Sequence, residues 1–448
     1  MIRFCFLILV LLLPLNSGKL HAENLDLIDI FQLAEANDPR FLQQKSKRNS
    51  SLELKSQAIA VLLPTISATG RSNWNYLRNK KFNFQSVGIQ RFWSHTGQID
   101  VSQPIFNLDS WFLLSQSEYQ ITKAEALLAK SYQDLIIRTV NAYLNVLLAQ
   151  ETVDLTRAEL KARQQLLEQA KLRFEVGLAP VTQSLEAEAR HAATSASLAA
   201  AKAALIDAQS ALQEITGHPS SDQLLPLAPE LILESPEPGN VNQWKLYAIN
   251  RNRELMAAVS DVKVAEKQVD REKARHYPTI TGTASYSFND NNSTFGLRGE
   301  TGLIGVQVNV PIFSGGRIMS RVRQAHYNLQ ASKQVFEQTK RSVDRSVTKT
   351  FFDVKSNIDQ VEAIRKSVRS FERVLETIQV GMEVGSNTLV DVLDAQTDLY
   401  KAKRDLSRQQ FAYLMSWLKL RLAAGLLEQS DVVRLNGYLQ NVSEEPSS

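Results

Sequence analysis

Two hydrophobic periods divide this chain. Along one stretch the apolar positions are Val347, Phe351, Val354, Ile358, Val361, Ile364, Val368, Phe371, Leu375, Ile378 and Met382. Ten steps cover 35 residues, a mean of 3.5, which is the seam of a coiled coil rather than the period of a straight helix. Ile137, Val140, Leu144 and Leu147 carry the same spacing earlier. No proline falls between Asp109 and Glu175 or between Arg317 and Val384, and Gly381 is the one glycine in either stretch. The spacing predicts two very long helices, each roughly 100 Å at about 1.5 Å per residue. Shorter companions are expected over about Asn24 to Leu63, with a break around Asn37-Asp38-Pro39, and over Pro180 to Thr216. The second pair is expected over Gln243 to Tyr277 and Thr388 to Ala424. Two companions laid end to end match one long helix, which predicts a pair of antiparallel coiled coils per half.

Elsewhere the period is two. From Ile66 to Tyr76 the even positions carry Ile66, Ala68, Gly70, Ser72, Trp74 and Tyr76, and the odd ones are polar. Ile99, Val101 and Ile105 alternate with Gln98, Asp100 and Ser102. Ile280, Gly282, Ala284, Tyr286 and Phe288 alternate with threonines and serines, and Ile304, Val306, Val308 and Val310 with Gly305, Gln307 and Asn309. These read as four strands of about ten residues, each with one apolar and one polar face. A small sheet packed on a helical body is one reading. The other is a membrane sheet, because the strands are long enough to cross a bilayer and Trp74, Tyr76, Trp93, Tyr286 and Phe288 lie toward strand ends, as in an aromatic girdle. Four strands cannot close around an open lumen, so the membrane reading forces several copies to pool their strands.

The two periods occur in the same order twice. Leu63-Pro64-Thr65-Ile66 returns as Tyr277-Pro278-Thr279-Ile280, Gln103-Pro104-Ile105-Phe106 as Val310-Pro311-Ile312-Phe313, and Val176-Gly177 as Val384-Gly385. The offset is 214 residues at the first pair, 207 at the second and 208 at the third. A period this long marks a duplicated half-molecule. The first repeat is expected over 23–217, with strands at about 65–106, and the second over 243–425, with strands at about 279–312. A proline-rich connector (218–242) and a tail (426–448) complete the chain. The length difference lies between the paired prolines, where a variable loop is expected. Asn79-Lys80-Lys81 and Asn289-Asp290-Asn291-Asn292 are expected to form the loops, opposite the helices.

Residues 1–22 read as a secretory leader: Arg3, an apolar run from Phe4 to Leu13, then a polar stretch ending Leu20-His21-Ala22. The only cysteine, Cys5, lies inside it, so the mature chain is expected to have no thiol chemistry. Losing Arg3 and Lys19 takes the formal charge from +4 to +2, too little and too dispersed for nucleic acid. The histidines at 21, 95, 191, 218, 276 and 326 include no pair at metal-ligand spacing, and no nucleophile-elbow or phosphate-loop pattern occurs. Ser314-Gly315-Gly316-Arg317 reads as a glycine turn between strand and helix, ahead of an anion site. No enzyme activity, metal or cofactor is expected.

Val384-Gly385-Ser386-Asn387-Thr388-Leu389-Val390-Asp391-Val392-Leu393-Asp394-Ala395-Gln396, followed by Leu399-Tyr400-Lys401-Ala402, resembles the second-repeat helix entry of the TolC family of outer-membrane efflux and secretion channels. Pro311-Ile312-Phe313-Ser314-Gly315-Gly316 resembles that family's strand-to-helix turn, and the likeness covers essentially the whole mature chain. The resemblance implies a mainly α fold with a β-barrel contribution: duplicated coiled-coil helices and four transmembrane strands per chain. It also implies a homotrimer in the outer membrane of a Gram-negative bacterium, with a twelve-stranded barrel and a periplasmic helical tunnel. An inner-membrane transporter and a periplasmic adaptor dock at its far end. The alternative is a periplasmic coiled-coil adaptor, which normally has one helical hairpin flanked by soluble β-domains.

Asp391 and Asp394 share a helix face just after Gly385. By themselves they read as carboxylates favoured by the helix dipole, or as a solvated face continuing to Asp398. The resemblance implies instead an acidic ring at the periplasmic entrance, six carboxylates per trimer, attracting and binding cations. It also implies a latch of an Arg, a Tyr and an Asp. The matching positions are Asn387, Met382 and Gln183, from which that latch cannot be built. Glu186 and Glu188 are neighbouring acids at the first-repeat entry, and Gly177 and Gly385 mark the two helix-entry turns.

Overall fold

The computed structural model describes residues 26–79, 88–219, 224–228, 231–292 and 298–439. The expected leader therefore lies outside the described residues, as do Lys80 and Lys81 of the first loop. In the first half α1 (Leu27–Asn37) and α2 (Pro39–Ala60) lead into β1 (Thr65–Asn79) and β2 (Gly88–Phe106), then α3 (Leu108–Glu175) and α4 (Val181–Thr216). The order recurs as α5 (Val241–Arg251), α6 (Arg253–Ala274), β3 (Thr279–Asn291), β4 (Gly299–Asn309), α7 (Arg317–Glu383) and α8 (Leu389–Ala423). A last helix, α9 (Gln429–Asn436), follows.

All eleven positions of the 3.5-residue seam on α7 pack into hydrophobic clusters, in order along the helix. The largest cluster surrounds the middle of α3, where Leu135, Ile136, Val140 and Tyr143 meet Leu27, Ile30 and Phe31 of α1 and Leu418 of α8. The halves are interleaved rather than separate pairs of coiled coils, since α6 packs on α3 of the first half as well as on α7.

The companion helix expected over Gln243 to Tyr277 is not continuous. It breaks at Asn252, 214 residues beyond Asp38, so both halves kink at the same place. Asp38 caps α2 by accepting the Phe41 N–H at 2.6 Å, and Asn252 caps α6 by accepting the Leu255 N–H at 3.0 Å. The amide of Asn252 also donates to the Ala423 carbonyl at 3.0 Å, which ties the kink to the end of α8. Gly425 lies so close to the Arg251–Asn252 backbone that a Cβ there would collide with it.

The tail holds structure that its sequence did not announce. Leu427, Val432 and Leu435 are buried in the main cluster. The connector joins it through a Leu227–Leu439 bridge and an Ala228 N–H to Tyr438 carbonyl bond of 2.9 Å. Arg421 and Arg434 flank the Trp417 ring at 5.2 and 4.8 Å, and Arg434 pairs with Glu234 of the connector.

The four strands form one antiparallel sheet in the order β1-β2-β3-β4. They are 15, 19, 13 and 11 residues long, exceeding the expected ten. The extra length of the first half is partly strand rather than loop, because the β1–β2 ladder continues to Asn79↔Gly88. Asn289, Asp290 and Asn291 belong to β3 instead of a loop, with Asp290 opposite His95. The register aligns Ala68, Ile99, Tyr286 and Gly302 across the sheet, so the apolar faces of all four strands coincide. That face is bare, with Ile66 72%, Ile304 90% and Val306 67% exposed. The free edges of β1 and β4 have no strand neighbour among the described residues. No helix among those residues is long and apolar enough to cross a membrane.

Arg138 of α3 binds Asp38 through both guanidinium nitrogens, at 2.7 and 2.9 Å. Burial by itself raises the Asp38 carboxyl, but the Arg138 and Phe41 hydrogen bonds and the charges of Arg138 and Arg40 outweigh it and hold the pKa below the ordinary value. The pair therefore stabilises the fold above the unfolded pKa of about 3.9 and loses its effect as pH falls through the lower folded value. Asp38→Asn keeps a capping side chain but leaves Arg138 without its anion, at a cost of about 3 kcal/mol. Thermal unfolding in detergent at pH 7 should show a lower midpoint for the variant, and the gap should narrow below about pH 4.

Candidate functional site

At the end of the molecule remote from the sheet, the α3–α4 and α7–α8 hairpins turn on equivalent glycines. Gly177 and Gly385 adopt φ of +75° and +83°, the left-handed conformation that closes a helix C-terminus. Leu178 N–H donates to the Arg173 carbonyl at 2.8 Å, and Ser386 N–H to the Gly381 carbonyl at 2.8 Å. Pro180 then starts α4 without a side-chain cap, whereas Thr388 starts α8 with a capping box.

Asp391 is part of that box. Its Oδ2 accepts the Thr388 N–H at 2.7 Å and the Thr388 hydroxyl at 2.8 Å. These bonds, the backbone one foremost, hold its carboxyl below the ordinary aspartate range. Asp394 is one turn on and carries a partner the sequence did not disclose. Arg190 of α4 reaches its Oδ1 at 3.1 Å while its Nε donates to Glu186 at 2.8 Å. The Glu186 hydrogen bond, with Asp394 adding its charge, raises the Arg190 pKa further, so the guanidinium stays charged at any working pH. Asp391, Asp394 and Glu186 against Arg190 leave a formal charge of −3 + 1 = −2 per chain.

The three positions matching the expected latch go elsewhere. Met382 packs against the cluster of Leu166, Leu167, Ala187, Leu389 and Leu393 that holds the hairpin ends together. Asn387 lies in the turn, its N–H bonded to the Gly381 carbonyl at 3.1 Å. Gln183 is half-buried in the first turn of α4, its N–H on the Pro180 carbonyl at 3.2 Å. Gly381, the lone glycine of the second long stretch, leaves room for the side chains of Asn387 and Ser386, which a Cβ there would displace.

Away from that apolar cluster the two hairpins are also linked by charged and polar side chains. Glu159 of α3 accepts Arg163 at 2.7 Å and Arg404 of α8 at 2.8 Å. Arg163 also donates to Thr397 at 3.0 Å, and Ser407 donates to Glu151 at 2.6 Å. Glu159 and Arg163 are buried, so the seam tolerates charge because each group is paired. Around the turns Leu172, Val176, Leu178, Leu185 and Val384 are all more than half exposed, an apolar tip at odds with a free end in water.

The family model of outer membrane efflux proteins matches residues 30–218 and 247–426. The outer membrane protein TolC of Vibrio cholerae is 31% identical over 95% of this chain and 95% of its own length. The alkaline protease secretion protein AprF of Pseudomonas aeruginosa is 27% identical over 91% of this chain and 86% of that protein. Among solved structures, the Campylobacter jejuni CmeC outer membrane channel superposes with a TM-score of 0.78 over 92% of this chain and 90% of its own, at 15% identity. The chain thus belongs to the outer membrane efflux protein family: it is an outer-membrane channel of efflux and secretion, with its helices on the periplasmic side.

Proposed function

We propose that three copies of this chain form one conduit, a twelve-stranded barrel continued by a tunnel of helices. The observation that carries the reading is the sheet itself: one bare apolar face across four strands, two open edges, and helices about 100 Å long attached at one end. Pooling strands removes the edges and puts the apolar face toward lipid. The chemistry is passage, without a bond-making step. A soluble adaptor has no use for such a sheet, whose apolar face would lie in water.

The periplasmic end is the gate in this reading. Three-fold symmetry gathers Asp391 and Asp394 around the axis, where crowded carboxylates favour cations and bind multivalent ones. Arg190 takes the role that Asn387, Met382 and Gln183 cannot fill. By holding Asp394 it ties α4 of one hairpin to α8 of the other and keeps the entrance narrow. The exposed apolar tip around Gly177 and Gly385 is the surface we assign to a periplasmic adaptor, which links the conduit to an inner-membrane transporter.

Single-channel recording in planar bilayers tests the gate. The double variant Asp391→Asn, Asp394→Asn should insert and conduct but lose cation preference and block by a trivalent cation. Arg190→Gln should act oppositely on selectivity, deepening cation preference. It should also favour the open state: three exposed links at about 0.5 kcal/mol each amount to roughly tenfold in the open-to-closed ratio. Unchanged selectivity and block in the double Asn variant would make these aspartates an ordinary solvated surface.

A further inference from the structure

The outward face of the first strand pair changes chemistry toward the end remote from the helices. Ile66 lies opposite Val101 and Ala68 opposite Ile99; Trp74 then meets Trp93, with ring centroids 5.2 Å apart. Two residues further, Tyr76 lies opposite Arg91, and beyond it Arg78 opposite Ile89. Side chains alternate along a strand, so Arg78 and Arg91 share the face of Trp74, Tyr76 and Trp93. Arg91 sits over the Tyr76 ring at 5.8 Å, and Arg78 is its diagonal neighbour on the adjacent strand. Both arginines are exposed.

Height matters here. Ile66 to Arg78 is twelve residues, about 40 Å along a strand at 3.3 Å each, and about 30 Å along the membrane normal at a tilt near 40°. The apolar belt of such barrels is about 25 Å tall. Trp74 and Trp93 therefore lie near the upper boundary of the belt, and the two arginines lie at the level of the outer headgroups.

Neither arginine forms a salt bridge among the described residues. The matching end of β3 and β4 satisfies its charges internally: Arg298 pairs with Asp290 at 3.2 Å, and Glu300 accepts the Tyr286 hydroxyl. Arg78 and Arg91, by contrast, have no acidic partner among the described residues. Two guanidinium forks beside amphipathic rings, without an anion among the described residues, suit a phosphate group whose sugar and acyl chains lie along the barrel wall.

We propose that Arg78 and Arg91, on the platform of Trp74, Tyr76 and Trp93, bind the phosphate of the phosphorylated glycolipid of the outer leaflet. The site rests on the barrel's place in the outer membrane and is independent of the gate, so failure of either leaves the other standing. Native mass spectrometry of the detergent-purified protein tests it, with bisphosphorylated lipid A and its dephosphorylated form as probes. The native chain should bind the phosphorylated lipid at least tenfold more tightly than the dephosphorylated one. R78Q/R91Q should lose that preference, and R298Q, which alters a cation already paired, should keep it. Equal binding of the two lipids by the native chain would overturn the proposal, and that comparison stands even if R78Q/R91Q fails to fold. An equal loss in R298Q would overturn it too, since any rim cation would then serve.

Discussion

An unpaired peptide group in hydrocarbon costs several kcal/mol, and the two free edges of this sheet carry many of them. On an edge strand every second residue points its N–H and C=O away from the sheet. With 15 residues in β1 and 11 in β4, a lone chain in a bilayer would forfeit more than a domain's whole stability. Pairing each β4 with the β1 of another copy removes the penalty. The rest of the molecule is consistent with that demand. Its accessible surface, 28614 Å², is well above the roughly 17,000 Å² of a compact monomer of this size. On α4 and α7 the large apolar side chains of Ile206, Tyr327 and Phe352 are more than half exposed.

The helices distribute stiffness and freedom differently along two kinds of seam. Apolar side chains at a 3.5-residue repeat hold α7 to α8, and separating them would return hydrocarbon to water. Between the hairpins, apolar clusters are supplemented by polar links of Glu159, Arg163, Arg404, Thr397, Arg190 and Asp394. Charged groups that part recover hydration, so these links cost less to separate than apolar contact of the same area.

Periodicity made the large elements legible. A helix that buries one stripe must repeat it, and a strand with one face in lipid must alternate, so α3, α7 and the four strands could be read directly from residue spacing. What escaped was whatever depends on a distant partner. Asn252, at the break between α5 and α6, is held by the Ala423 carbonyl, and Ala423 is 171 residues away. α9 is short, and the burial of Val432 and Leu435 has meaning only against the main cluster. The candidate gate shows the same division. Gly177 and Gly385 stood out by local pattern and Asp391 and Asp394 through the family resemblance, while Arg190 looks like any helical arginine until α4 and α8 lie side by side. Gly381 was visible as a lone glycine in a long helix; the fold-back of the Ser386 and Asn387 side chains onto it was not.

The central claim is that closure of the sheet sets the copy number. The mass of the intact complex, extracted in mild detergent and measured without denaturation, tests it most directly. Three chains per particle are predicted, because three sets of four strands make the smallest ring that clears the eight-strand minimum of single-chain membrane barrels with a lumen to spare. A stable particle of one chain that still inserts and conducts would contradict the account.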